Sequence, residues 1–257
     1  MTYLDRIVER HRQAAAADDR NLDDLLAAAR RLGAARGFAV ALADPGELAV
    51  IAEIKRRSPS KGDLDRDLDP AALARTYAEG GAACLSVLTD AEFFAGSVAD
   101  LSAARHATTL PVLRKDFTVD PRDVADARLM GADCVLLIVA ALADLELVEL
   151  HQLATSIGLD VLVEVHDEPE LERALVAGAT LVGVNQRDLL TFEVDHERAV
   201  RMGGAIPPGV VKVAESGIRD GDDARRLAAA GFDALLVGET LVTAADAVAT
   251  LRALRLR

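Results

Sequence analysis

The sequence predicts an α/β chain, a (β/α)8 TIM barrel with an N-terminal helical extension, and two regularities predict it. Short apolar runs rich in β-branched residues recur at intervals of roughly 20 to 35 residues, the length of one βα unit. Between them lie helix-like segments whose aspartate starts and glycine ends repeat.

Taken in order, residues 1–46 precede the first run and hold two helical patterns. Leu4, Ile7, Val8 and His11 share one face of the first, and NLDDLLAAARRLGA forms the second. Such an extension either caps the barrel bottom or reaches over its top, and its sequence does not decide. The strands then read VIAEIKR from Val50, CLSVLTD from Cys84, PVLRKDF from Pro111 and CVLLIVA from Cys134. DVLVEVH from Asp160, LVGVNQR from Leu181, VVKVAES from Val210 and ALLVGET from Ala234 follow. These make eight, most of them apolar on both faces, as strands of a covered parallel sheet must be.

The connecting segments carry helix punctuation. GADCVLL after Met130, GATLVGV after Ala177 and GFDALLV after Ala230 each place glycine just past an alanine- or leucine-rich stretch. A left-handed C-terminal cap there suits a residue without a side chain. DPRDVADARLM, DEPELERALVA and DGDDARRLAAA open on aspartate, two of them with an early proline. Right-handed crossovers close eight such units most naturally into a barrel. An open doubly wound sheet is the alternative, but the first strand lacks a Gly-rich dinucleotide loop. Residues 1–257 are therefore assigned to one barrel domain, with 1–46 as its extension.

Composition narrows the function. A formal charge of −13 argues against a general nucleic-acid or membrane-surface binder. An anionic ligand needs a local cluster of positive groups. Cys84 and Cys134 each lie in an apolar run and read as two buried thiols rather than a disulfide or metal pair. MTYLDRIVERHRQ is amphipathic and charged, unlike a signal peptide, and no apolar stretch reaches membrane-spanning length. A cytoplasmic location is expected.

Barrels of this kind build their active sites at the C-terminal ends of the strands. Glu53 and Lys55 are two apart, so both project to one face of strand one and can point to the barrel axis. Lys115 ends strand three, Glu164 stands near the end of strand five, and Asn185 and Arg187 end strand six. Strand seven closes with Glu215-Ser216-Gly217 and strand eight with Gly238-Glu239. One ionisable group at a strand end is commonly structural, but several at the same end point to a catalytic ring. Loops after strands seven and eight of such barrels often hold a phosphate. Ser216-Gly217 and Gly238-Glu239-Thr240 suit that use, since glycine lets backbone amides approach the oxygens. No HExxH, CxxC or carboxylate cluster supports a metal site. KRRSPSK lacks the interleaved aromatics of a nucleic-acid patch and reads better as a β1α1 loop whose cations close over substrate. Arg56, Arg57 and Lys61 can also be read as solvated charges.

VIAEIKRRSPSKGDL, SVLTDAEFFAGS, PVLRKDF, LVEVH, GVNQRDL and VAESGI resemble, in order and spacing, the motifs of the indole-3-glycerol phosphate synthase family. The resemblance covers nearly the whole chain. It implies ring closure of 1-(2-carboxyphenylamino)-1-deoxyribulose 5-phosphate with loss of CO2 and water, in tryptophan biosynthesis, without a cofactor. It also implies roles. Lys115 is the general acid on the substrate carbonyl, and Glu164 the acid/base of dehydration, a carboxyl of raised pKa. Lys55 contacts the substrate carboxylate and phosphate or serves as a second acid, Glu53 holds the lysines, and Asn185 orients hydroxyls with Arg187 beside it. Ser58, Ser216, Gly217, Gly238 and Glu239 surround the phosphate, with Glu215 alongside, and Phe94, Phe117 and Leu136 form the wall against the aromatic ring. Partners are the phosphosugar–anthranilate substrate and, as candidates, other tryptophan-pathway enzymes. Gln186 departs from the family, which often has Asn or Ser there.

Three other readings fit the sequence less well. A ribosyl-anthranilate isomerase relative wants a Cys/Asp or Asp/Asp pair at strand ends, which the sequence lacks. A lysine-dependent aldolase would use a Schiff base. A decayed scaffold barrel should have lost some of Lys55, Lys115, Glu164 or Asn185, and all are present.

Overall fold

A computed structural model describes residues 2–43, 47–59, 61–188 and 191–255. Its barrel strands are β1 (Ala49–Ile54), β2 (Cys84–Leu88), β3 (Val112–Lys115) and β4 (Cys134–Ile138). β5 (Asp160–Val165), β6 (Leu181–Asn185), β7 (Val211–Glu215) and β8 (Ala234–Val237) complete the set. Each pairs in parallel with the next, and β8 returns to β1, closing a barrel. Every run read from the sequence is a strand of it.

Alternation along the strands divides the apolar residues into two cores. On β1, Val50, Ala52 and Ile54 face the surrounding helices, while Ala49 and Ile51 join Cys84, Leu113, Leu162, Val213 and Leu236 inside the barrel. Each fully buried aliphatic contributes roughly 1.5–3 kcal/mol, so a strand slipped by one residue would forfeit both cores. Continuing the inward set of β1 upward gives Glu53 and then Lys55. The barrel's hydrocarbon stops one layer below its mouth.

The helices between strands use the punctuation the sequence shows. Pro121–Leu129, Glu168–Val176 and Gly221–Ala229 start on Asp120, Asp167 and Asp220, whose side chains accept backbone N–H bonds of the first turn. Each such cap stabilises by about 1 kcal/mol. Gly131, Gly178 and Gly231 follow with φ of 92°, 92° and 88°, a region that disfavours a side chain.

Among its described residues the extension contains three helices where the sequence pattern shows two. Tyr3–Ala17 and Leu22–Arg30 match it; Phe38–Leu42 is the addition, too short for periodicity to reveal. Phe38 and Leu42 are fully buried against Ala49, Ile51, Cys84 and Leu113 and plug the barrel bottom. Backbone N–H groups nearby are fixed by carboxylates at the starts of strands: Arg36 N donates to Asp133 and Ala39 N to Asp160, both at 2.9 Å. Leu22–Arg30 packs on Pro121–Leu129 along the outside. Tyr3–Ala17 lies at the other end. His11 meets Asp90 beyond β2, Arg12 meets Glu146 beyond β4, and the Tyr3 ring packs edge-on against Phe93 and Phe192. The extension therefore does both things the sequence left open. Its limit at residue 46 lies outside the described residues. Cys84 and Cys134 are buried free thiols, and no described helix is long and apolar enough to cross a membrane.

Candidate active site

Layers inside such a barrel draw four side chains from alternate strands. Here β1, β3, β5 and β7 fill the topmost layer with Glu53, Lys115, Glu164 and Glu215 in place of hydrocarbon. Lys115 Nζ lies 3.5 Å from Glu164 Oε2 and 3.9 Å from Glu215 Oε2. Lys55 Nζ, just beyond the end of β1, lies 2.6 Å from Glu53 Oε1, and Ser86 Oγ donates to the other Glu53 oxygen at 3.3 Å. Asn185 Nδ2 donates to Glu164 Oε1 at 3.0 Å. His166, behind Glu164, places Nε2 3.6 Å from the same oxygen and Nδ1 3.0 Å from Glu170.

Charge balance sets the protonation of this layer. Glu53, Glu164 and Glu215 are all buried, and a buried charge must be matched by an opposite one. Burial opposes ionisation of Glu53, but Lys55 and Lys115 outweigh it and its pKa falls. Burial likewise opposes ionisation of Glu164, yet Lys115, His166 and the Asn185 amide overcome it, again lowering the pKa. Glu215 goes the other way. Burial and the Glu164 charge raise its pKa well above the ordinary range, and Lys115 does not compensate. Its Oε1 is also buried without a hydrogen-bond partner, a position an anion would not tolerate. Lys115 is disfavoured by burial but surrounded by Glu164, Glu215 and Glu53, which keep its pKa above the usual lysine range. Lys115 thus faces Glu53 and Glu164 as carboxylates, while burial and the Glu164 charge favour the protonated form of Glu215.

This corrects one expectation. The carboxyl of raised pKa is Glu215, not Glu164. Sequence places Glu164 near Asn185, but it cannot show that Lys115 settles closer to Glu164 than to Glu215. Gly183 on β6 makes the arrangement possible, because a Cβ there would occupy the position of Glu215 Oε1.

A cavity of about 530 Å³ opens above the layer. The residues given site roles in the sequence line it: Glu53, Lys55, Lys115, Glu164, Asn185, Glu215 and Ser216, with Ser58, Phe94, Phe117, Leu136, Arg187, Gly217, Gly238 and Glu239, whereas Arg56 and Arg57, read as cations closing over substrate, do not. Phe94 and Phe117 stand with ring centroids 6.2 Å apart, and Leu136 joins them to make an apolar side. Arg187 donates through Nη1 to Phe192 O at 2.9 Å and so braces the loop after β6. A two-residue ladder, Arg57–Ser58 with Gly62–Asp63, brings Ser58 to the rim. Arg56 and Arg57 are not solvated charges: Arg56 pairs with Asp100 at 2.9 Å, and Arg57 Nη2 donates to Glu92 O. Lys61, more than half exposed, faces Glu239 at 3.5 Å.

The ends of β7 and β8 differ in one respect from their sequence reading. Ser216 and Gly217 take left-handed φ of 68° and 73°, strained for the serine, and so turn the chain sharply over the mouth. A Cβ on Gly217 would strike Val194. At Gly238 the nearest atoms to an added Cβ are Glu53 Oε1 at 2.5 Å and Lys55 Nζ at 3.1 Å, rather than open space for an anion. Gly238→Val should therefore break the Glu53–Lys55 pair, lowering kcat about tenfold or more as well as raising KM. Steady-state kinetics showing a change in KM alone would return Gly238 to a pure phosphate role.

Thr240 of the predicted Gly238-Glu239-Thr240 turn lines the cavity too, and Phe192, Val194, His196 and Arg219 line it without having been found in the sequence. Phe192, Val194 and His196 come from the irregular segment after β6, where no periodicity marks which side chains turn inward.

Taken together, the closed parallel barrel, the acid–base layer at its C-terminal mouth and the glycine turns after β7 and β8 define a barrel enzyme built for an anionic substrate. Residues 4–254 match the family model described as indole-3-glycerol phosphate synthase. A protein of that name from Parafrankia sp. (strain EAN1pec) is 55% identical over 208 residues, covering 81% of this chain and 78% of that one. The chain belongs to the indole-3-glycerol phosphate synthase family, carboxy-lyases of tryptophan biosynthesis. Among solved structures, a thiamine phosphate pyrophosphorylase from Pyrococcus furiosus superposes with a TM-score of 0.60 at 19% identity, over 80% of this chain and 93% of that one. An N-acetylmannosamine-6-phosphate 2-epimerase from Clostridium perfringens gives 0.60 at 14% identity, over 75% and 86%. At such identities these two speak for the fold alone.

Proposed function

We propose that this mouth converts 1-(2-carboxyphenylamino)-1-deoxyribulose 5-phosphate to indole-3-glycerol phosphate, with the four-residue polar layer handling its protons. The observation that carries the proposal is Lys115 held between the Glu164 and Glu215 carboxyl groups at the floor of a half-apolar cavity. The substrate's aromatic ring lies on Phe94, Phe117 and Leu136, and its phosphate lies toward Ser58, Ser216, Gly217 and the backbone of Gly238 and Glu239. Lys55 faces the substrate carboxylate.

The chemistry then follows from protonation states. As the aromatic carbon attacks the carbonyl, negative charge develops on oxygen, and Lys115 donates a proton to it. Ring closure leaves an iminium, which accepts the electron pair when the carboxylate departs as CO2. That step asks nothing of a cofactor. Dehydration needs a base for a ring C–H and an acid for the leaving hydroxyl; ionised Glu164 is the base and protonated Glu215 the acid. Glu164 was the sequence candidate for both roles, and the charge pattern divides them. A carboxylate leaves as neutral CO2, so each turnover consumes one proton, which solvent returns to Lys115.

A lysine aldolase mechanism fits less well, because a Schiff base needs a neutral amine and the surrounding carboxylates favour the ammonium. Incubating purified protein with the carboxyphenylamino substrate and following indole fluorescence tests the proposal. No fluorescence, or trapping of a substrate adduct by borohydride, would overturn it. Cytoplasmic location and association with other tryptophan-pathway enzymes follow from the same role, and co-purification with a tagged chain tests the latter.

A further inference from the structure

We propose that His11, on the N-terminal helix, is a positioning residue of the active site that fixes the aromatic wall; this rests on reading Phe94 and Phe117 as that wall. His11 Nε2 lies 3.0 Å from Asp90 Oδ2 and 3.7 Å from Asp116 Oδ1. Its ring packs against Phe117 with centroids 5.5 Å apart and planes tilted by 39°.

Each of the two aspartates shapes the backbone that carries one wall residue. Asp90 caps the helix Ala91–Phe94: its Oδ1 accepts from Phe93 N at 2.6 Å and Phe94 N at 3.2 Å. Asp116 accepts from Phe117 N at 2.9 Å through Oδ1, while its Oδ2 takes Arg114 Nη2 at 3.1 Å and the Thr89 hydroxyl. The Phe94 turn follows β2 and the Phe117 turn follows β3. One imidazole, contributed from outside the barrel, joins them.

The burial of this triad makes the link specific. Side-chain exposure is 18% for His11, 6% for Asp90 and 4% for Asp116, so water does little to screen the two carboxylates. Arg114 neutralises Asp116, but among the described residues the Asp90 carboxylate meets His11 and the helix amides alone. Burial works against a charged His11, yet the bond to Asp90 and the nearby Asp116 charge outweigh it and raise its pKa. An imidazolium between two carboxylates holds both turns at one spacing. Without it, Asp90 and Asp116 repel, and the Phe94 and Phe117 rings separate. His11 touches neither the cavity nor the reacting atoms, so its effect passes through the wall.

A tether that merely holds the extension down would affect stability and leave substrate binding alone. Kinetics can separate the two. His11→Ala is expected to raise KM about tenfold, change kcat less, and leave competitive inhibition by inorganic phosphate within about twofold, because phosphate binds across the mouth from the wall. His11→Gln, which keeps a donor within reach of Asp90, should recover most of the loss. Phe117→Ala is the control for the wall itself. Its KM should rise, and the double variant His11→Ala/Phe117→Ala should be no worse than Phe117→Ala alone. An unmoved KM in Phe117→Ala removes the wall and this proposal with it. A raised KM there with an unmoved KM in His11→Ala overturns the role of His11 alone, as does a loss in His11→Ala confined to Tm. Should His11→Ala not fold, His11→Gln and His11→Asn are compared instead, and equal KM values for both and the parent overturn the proposal.

Discussion

Lys115→Met should lower kcat by about 10²-fold or more, the scale of a lost general acid. Methionine keeps the length of the stem and fills the space beneath the mouth, so the strand end should stay packed. What it removes is the ammonium, whose Nζ lies 3.5 Å from Glu164 and 3.9 Å from Glu215. Glu53 would then keep Lys55 and Glu164 would keep His166, but with the Lys115 charge gone the carboxyl layer should take up an additional proton to stay neutral. The protein therefore folds with altered titration, which far-UV circular dichroism and a proton-uptake measurement distinguish from unfolding. Lys115→Arg separates charge from proton transfer, because a guanidinium keeps the positive charge but does not release its proton near neutral pH. A rate in Lys115→Arg close to that of Lys115→Met assigns the loss to the proton. Parent-like activity in Lys115→Met would remove Lys115 from ring closure.

The barrel is legible in the sequence because its rules are local and repeated. A period-2 strand, an aspartate at a helix start and a glycine at a helix end each need only a few neighbouring residues to recognise. The functional layer is legible for a related reason: Glu53 interrupts an apolar inward face, and hydrocarbon alone gives no cause for it. What the sequence conceals depends on distances between strands far apart in the chain. Glu164 and Glu215 look alike as letters, and only the placement of Lys115, His166 and Gly183 makes one an anion and the other an acid. Phe38–Leu42 escapes for want of length, although it closes the barrel bottom. His11 reads as one more residue on an amphipathic face until the fold brings Asp90 and Asp116 to it from 79 and 105 positions away.

Glu215→Gln should lower kcat by about 10²-fold and remove the alkaline limb of its pH profile. A carboxyl whose pKa is raised keeps its proton at neutral pH and loses it as pH rises through that value, so a rate that needs the proton falls on the alkaline side. Lys115 cannot supply this limb at moderate pH, because its neighbours hold its pKa above the ordinary lysine range. Glutamine retains a donor toward Glu164 and adds no charge, so Glu164 stays ionised and Lys115 stays paired. Ring closure and decarboxylation should then run at near the parent rate, with CO2 appearing before indole in a single turnover. Glu164→Gln should give a different pattern. Losing the Glu164 charge removes a main cause of the raised pKa of Glu215 and the nearest partner of Lys115. Ring closure should slow as well, and CO2 and indole should both lag, with the undehydrated intermediate still accumulating. If Glu215→Gln instead keeps kcat within a few-fold and retains the alkaline limb, Glu215 is a spectator. The leaving hydroxyl then takes its proton from Lys115.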